Sequence, residues 1–188
     1  MKLQFLIATL LAATASSAIA ATYTIDPGHT YPSFEADHMG LSLWRGKFEK
    51  TSGTITMDRA AKTGTLDIVI EAASVDFGMD KMNSHARGAD MFNVEKFPTM
   101  SYKSKSFQFE GDKLVGVQGE LTMLGVTKPV ALKVDRFNCI MHPRYKREVC
   151  GANAVAEFKR TDFGLNYAIP AFAPEVRLAI QVEAIKSE

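Results

Sequence analysis

Four histidines, His29, His38, His85 and His142, and two cysteines, Cys139 and Cys150, are the residues of this 188-residue sequence best suited to chemistry. The histidines show no HxH, HExxH or similar spacing, so no metal site can be read along the chain. There is no G-x-S-x-G elbow, no phosphate-binding loop and no G-x-G-x-x-G after a strand. His85 stands between Asp80 and Asp90 in sequence. That grouping suits a general base or, more simply, a hydrogen-bond donor to the polar end of a ligand. The cysteines lack C-x-x-C spacing and are better explained by each other than by metal binding or nucleophilic catalysis.

The apolar residues say more than the polar ones. Phe77, Met79, Met82, Met91, Phe92, Phe97 and Met100 crowd around one stretch of the chain. Long, unbranched methionine side chains adapt to a flexible apolar guest. A cavity lined by Phe and Met, with a His or Arg at one end, suits a lipid tail with a polar head. Each isoprene unit taken from water would contribute on the order of 1–2 kcal/mol before ordering costs.

Such a cavity needs walls, and the rest of the chain reads as walls. Apolar residues alternate with polar ones at Ile55 and Met57, at Leu66, Ile68 and Ile70, and at Val115, Val117, Leu121 and Met123. The pattern continues at Val130, Leu132 and Val134, and at Val176, Leu178, Ile180 and Val182. A period of two marks antiparallel strands with one face in a core and the other in water. Turn signals fall between them, including Glu110-Gly111-Asp112 and the run from Leu124 to Pro129. About eight strands with short connections predict an all-β, closed antiparallel barrel. Only Met79 to Phe92 breaks the rhythm. It predicts a short helical flap over one end, capped by Asp80, with Met82, Ala86 and Ala89 on one face and Gly88 weakening it.

The first twenty residues read as a cleavable export signal. Lys2 is followed by an apolar run from Phe5 to Ala13 and by Ala18-Ile19-Ala20, an A-x-A cleavage site. The run is shorter than the ~20 residues that span a bilayer. Cleavage after Ala20 would leave one domain, 21–188. The signal holds one base and no acid, so the remainder carries 21 Lys+Arg and 21 Asp+Glu, a formal charge of zero. No basic excess argues for nucleic acid. In an exported chain, an even cysteine count predicts a Cys139–Cys150 disulfide at the base of the polar excursion Ile140–Val149. A loop so short would gain about 3 kcal/mol from the bridge in the chain-entropy model.

Several separated motifs together resemble the YceI-like family of periplasmic, lipocalin-like isoprenoid-binding proteins. They are Tyr23-Thr24-Ile25-Asp26 with His29, Phe34 and His38; Gly46-Lys47-Phe48 with Gly53-Thr54-Ile55; and His85 to Phe92, ending at Phe97-Pro98. The hairpin from Gly119 to Val130 is the most specific, and Arg160-Thr161-Asp162-Phe163-Gly164-Leu165 completes the set. The resemblance implies an extended eight-stranded antiparallel lipocalin-like barrel, with an internal tunnel for a polyprenyl phosphate, a ubiquinone or another long-chain amphiphilic lipid. No cofactor beyond that bound lipid is required, and neither catalytic nor metal-ligating residues are implied. Phe34, His38, Phe48, Phe77, Met82, His85, Asp90, Met91, Phe92 and Phe97 are the expected ligand contacts. The flap departs from the family pattern at Ala86, Gly88 and Met91, where relatives more often carry a larger aliphatic, a serine and an aromatic. The paired cysteines resemble a subset that includes ubiquinone binders, which favours a quinone. The expected protein is a periplasmic, non-enzymatic carrier, with room for a transient membrane contact and for a homodimer. An enzyme acting on such a lipid, with His85 or His38 as acid/base, is the alternative. A partner of a membrane cytochrome is a third reading.

Overall fold

The computed structural model describes residues 20–188. The expected export signal, but for Ala20, lies outside the described residues. In chain order the elements are β1 (Ala21–Ile25), β2 (Tyr31–His38), β3 (Ser42–Phe48), β4 (Thr51–Asp58), β5 (Thr63–Glu71), β6 (Val75–Asp76) and α1 (Asp80–Arg87). Then follow β7 (Thr99–Glu110), β8 (Lys113–Met123), β9 (Val126–Met141), β10 (Glu148–Lys159) and β11 (Glu175–Lys186). Short 3-10 turns occupy Ala72–Ser74 and Arg160–Phe163.

Eleven strand segments build a barrel of eight. The ring β1-β4-β5-β7-β8-β9-β10-β11 closes because β11 also pairs with β1. Two of the extra segments arise because two of the walls are each broken midway, and the third, β6, follows β5 after the turn at Ala72–Ser74 and pairs with β3. β1 and β2 climb the same edge of β11 in succession, with Ile25 opposite Ala184 and Tyr31 opposite Gln181. β3 and β4 descend in succession beside them. Thr30 fills the first break, its hydroxyl donating to the Glu183 carbonyl and accepting from the Glu183 N–H, both at 3.2 Å. Burial alone would raise the Asp26 pKa. Hydrogen bonds from His29 and from the Gly28 N–H outweigh that and hold its carboxyl below the usual range, which ties the break down. At the second break the Glu49 and Lys50 N–H groups bond to Ser74.

The inward faces largely follow the alternation. Ile55, Met57, Leu66, Ile68, Ile70, Val130, Leu132, Val134, Val176, Leu178, Ile180 and Val182 all line the interior. Val115 is the exception: Val117, Leu121 and Met123 face inward as expected, but Leu114 takes the place of Val115. An irregularity in the β7–β8 ladder at Gln108/Phe109 shifts the phase there. Glycines on the walls make room for aromatic rings. A Cβ on Gly119 would lie 2.5 Å from the Tyr102 ring, and one on Gly46 2.5 Å from the Phe34 ring.

The flap is helical, but its ends differ from expectation. Met79 takes the cap position without a side-chain bond, and Asp80 is the first helical residue. Its charge suits the N-terminal dipole, whereas capping requires a residue outside the helix. The start is held instead by Asp76, which accepts from Asn83 Nδ2 at 2.9 Å and from the Gly78 N–H at 2.8 Å. Gly88 ends the helix as its C-cap. Ala89 lies beyond it and is exposed, so the buried face is Asn83 and Ala86.

Cys139 and Cys150 form a disulfide. They are direct partners across β9 and β10, and both strands run two residues past them. The bridge therefore sits inside the ladder, and only 142–147 form the loop. Replacing both cysteines by serine, or reducing the bridge, is expected to cost about 3 kcal/mol. A thermal melt should fall by roughly 6–12 °C. An unchanged melting temperature would show that the bridge does not constrain the unfolded chain.

Candidate functional site

The barrel interior encloses a cavity of about 450 Å³, within the range of small-molecule sites. Its floor is a cluster of Tyr23, Ile25, Met57, Cys150 and Ala184. Tyr23 donates to the Glu148 carboxylate, which also faces Arg59 at 3.7 Å. Burial, reinforced by Glu148, pushes the Tyr23 phenol up to about 12.

Most polar atoms of the walls turn away, the exception being the buried Thr51 hydroxyl, which has no hydrogen-bond partner among the described residues. Tyr102 lines the cavity with its ring, while its hydroxyl donates to the Val130 carbonyl at 2.8 Å. Burial raises its pKa. Leu66, Ile68, Ile70, Met100, Leu132, Val134, Leu178 and Ile180 complete an aliphatic sleeve. Above it Phe34, Phe48, Phe77 and Phe92 meet edge-on or tilted, with ring centroids 5.3–6.5 Å apart.

Polar groups gather at the opposite end from Tyr23. His38, at the end of β2, stacks on Trp44 of β3 with centroids 4.4 Å apart, and lies 4.9 Å from Phe172. His85 of α1 meets Tyr167 edge-on at 4.8 Å. The segment carrying Tyr167 and Phe172 links β10 to β11, and Arg160 holds it in place. Arg160 is 7% exposed. Its Nη1 donates to the carbonyls of Leu165 at 3.0 Å and Tyr167 at 2.9 Å, and Nη2 and Nε reach Phe172 and Ala173 at 3.4 Å. Among the described residues it joins no ion pair. Burial lowers its pKa from the ordinary value, yet a guanidinium stays protonated. The cavity thus ends beneath the Arg160 guanidinium, two imidazoles and the Asp37 carboxylate.

Of the expected contacts, Phe34, His38, Phe48, Phe77, Met82, His85, Met91 and Phe92 all line this one cavity. Asp90 and Phe97 do not. Asp90 is exposed just after α1, where the chain folds back through bonds from Phe92 N–H to Ala86 and from Asn93 N–H to Gly88. Phe97 packs towards Gly125 of the β8–β9 turn, under Lys96. Trp44, Arg160, Tyr167 and Phe172 line the cavity but were not expected there. Arg160 opens a recognisable motif, but nothing in its spacing tells that its side chain turns inward. Among the described residues no group of three His, Cys, Asp or Glu converges as metal ligands would.

A closed antiparallel barrel around an apolar cavity, with its polar groups at one mouth, is the architecture of the lipocalin-like barrels. Within that class the chain belongs to the YceI-like family: the YceI-like domain matches residues 23–184. It is 34% identical over 189 aligned positions to Protein YceI of Salmonella arizonae, covering 99% of this chain and 97% of the relative. Burkholderia cenocepacia BcnA superposes with a TM-score of 0.69 at 21% identity, covering 85% of this chain and 98% of that one. The Campylobacter jejuni YceI protein gives 0.66 at 25%, covering 79% and 88%. A polyisoprenoid binding domain from Saccharophagus degradans gives 0.67 at 18%, covering 89% and 99%. No helix among the described residues is long and apolar enough to cross a membrane.

Proposed function

We propose that this protein is an exported carrier, without catalytic activity, that holds the tail of a long isoprenoid lipid inside the barrel and its head at the mouth. The observation that carries the reading is the distribution of polarity along the cavity. Aliphatic and aromatic side chains line most of it from Tyr23 upward, interrupted by Thr30 and Thr51, and the groups Asp37, His38, His85 and Arg160 stand at the far end. A guest matching that profile is a chain with one polar end. The same fold in a polyisoprenoid binding domain from another organism supports an isoprenoid over a straight acyl chain. A ubiquinone fits the mouth through carbonyls that can accept from His38, His85 and Arg160; a polyprenyl phosphate would answer the positive charge. The quinone is favoured by the paired cysteines. Export is supported by β1, which begins at Ala21 directly after the expected cleavage point.

His38 and His85 contact aromatic rings, and among the described residues neither imidazole hydrogen-bonds to a carboxylate that would orient it as a base. That arrangement favours holding over turnover. Solvent extraction of the purified protein, followed by mass spectrometry, is expected to release an isoprenoid near one equivalent. Protein free of lipid, from cells rich in isoprenoids, would sink the reading.

A further inference from the structure

Large apolar side chains that face water are unevenly spread over the surface. Met39, Leu41, Leu43, Met79, Tyr167 and Ile169 are exposed at the mouth end, against Val69, Ile140 and Met141 elsewhere among the described residues. The first three form the tip of the β2–β3 hairpin, with Leu41 81% exposed. Tyr167 and Ile169 belong to a stretch from Phe163 to Pro174 without a charged residue. The two pieces join through the mouth, because His38 touches Phe172 and His85 touches Tyr167. Charge around the hairpin is muted: Asp37 accepts from the Gly40 N–H, and Arg45 pairs with Glu35 at 2.7 Å. The loops at the other end carry Asp58, Arg59, Lys62, Asp112, Arg144, Lys146 and Arg147. The hairpin tip and the 163–174 loop are thus apolar, flanked at the mouth by the exposed charges Asp80, Lys81, Arg87 and Asp90 of the flap, whereas the loops at the closed end are mostly charged.

We propose that this rim is a bilayer-docking surface: the hairpin tip and the 163–174 loop insert their side chains into the acyl boundary, so that the cavity opens directly onto lipid. A bilayer fits better than a protein because the patch is continuous with a cavity suited to lipid, and its two inserting segments, 39–44 and 163–174, carry no charged side chain. Exposed tips of this kind bind by area buried rather than by attraction to anionic headgroups. The inference rests on the carrier reading, since a lipid moving between cavity and membrane need never cross water.

Flotation with neutral phosphatidylcholine vesicles tests it. The protein is expected to float with the vesicles, to the same extent at low and high salt. Leu41→Asp combined with Ile169→Asp should weaken partitioning at least about 100-fold, since each buried aliphatic is worth roughly tenfold. Val69→Asp on the barrel wall should float as the parent does, and melting curves should show all variants folded. Failure of the parent to float, flotation lost with salt, or a double variant that floats unchanged would each overturn the proposal. So would a parent that stays off vesicles and dimerises through the patch, seen as a dimer that the double variant makes monomeric. Lipid extracted from the same preparations separates the two ideas: bound isoprenoid without vesicle binding removes the docking surface and leaves the carrier. Vesicle binding without bound isoprenoid does the reverse.

Discussion

An Ala154→Trp chain is expected to purify without its lipid and still fold. Ala154 is buried on β10, faces the cavity, and lies between Val134 and Ile180 on the neighbouring strands. An indole there occupies the middle of the cavity, where on the carrier reading a flexible tail would pass. Bound isoprenoid per protein should drop at least tenfold, because shortening the accessible sleeve removes several isoprene units at about 1–2 kcal/mol each. In a tightly packed core the same enlargement would cost about 1–3 kcal/mol. Here it fills space and buries aromatic surface, so urea unfolding of lipid-free protein should be unchanged or improved. Extraction with mass spectrometry reads the first effect and denaturation the second. Full lipid occupancy in a folded variant would place the ligand outside the barrel.

Arg160→Met should have the largest effect on stability. Its guanidinium serves four carbonyls of the segment that forms the mouth. Removing it strands those acceptors at a partly buried site, where each unsatisfied group costs about 1–3 kcal/mol. Partial access to water limits the total to about 3–4 kcal/mol. Arg160→Lys keeps the charge but loses the planar fork, and should recover less than half of that. Urea denaturation with unchanged slope is the measurement. A methionine variant within about 0.5 kcal/mol of the parent would show that the guanidinium is not what holds the mouth.

The walls were legible because a strand exposes its two faces by a fixed rule. Once Leu66, Ile68 and Ile70 alternate, their common side follows, and with it the lining of the cavity. Val115 departed because a ladder irregularity inserts a residue whose effect on phase no local composition reveals. The flap was legible as an interruption, but not in its ends: Asp76 and Asn83 meet across a turn, a contact that propensity alone does not encode. Arg160 is harder still. Its side chain is buried among backbone carbonyls of its own loop, and backbone acceptors leave no mark in a sequence. Asp90 and Phe97 were assigned with their neighbours, but each lies where the chain has already turned away from the cavity. Ligand contacts drawn from a contiguous motif inherit that error whenever the motif spans a turn.

The two interrupted walls give the barrel a compliance that varies along its axis. Around the base the eight strands pair in a closed ring, its shortest ladder the three-residue pairing of β1 with β11, and the β9–β10 pair is covalently bridged as well. Near the mouth, β3 is joined on its outer side only by the two-residue pairing of Lys47 with Asp76 and Phe48 with Val75. Spreading the wall there breaks that short pairing and the seat of α1, while the base has no free edge, because β1 is paired on both sides. The cylinder is stiff where it is sealed and soft where it opens. A bulky head can therefore distort the rim without loosening the grip of the sleeve on the tail.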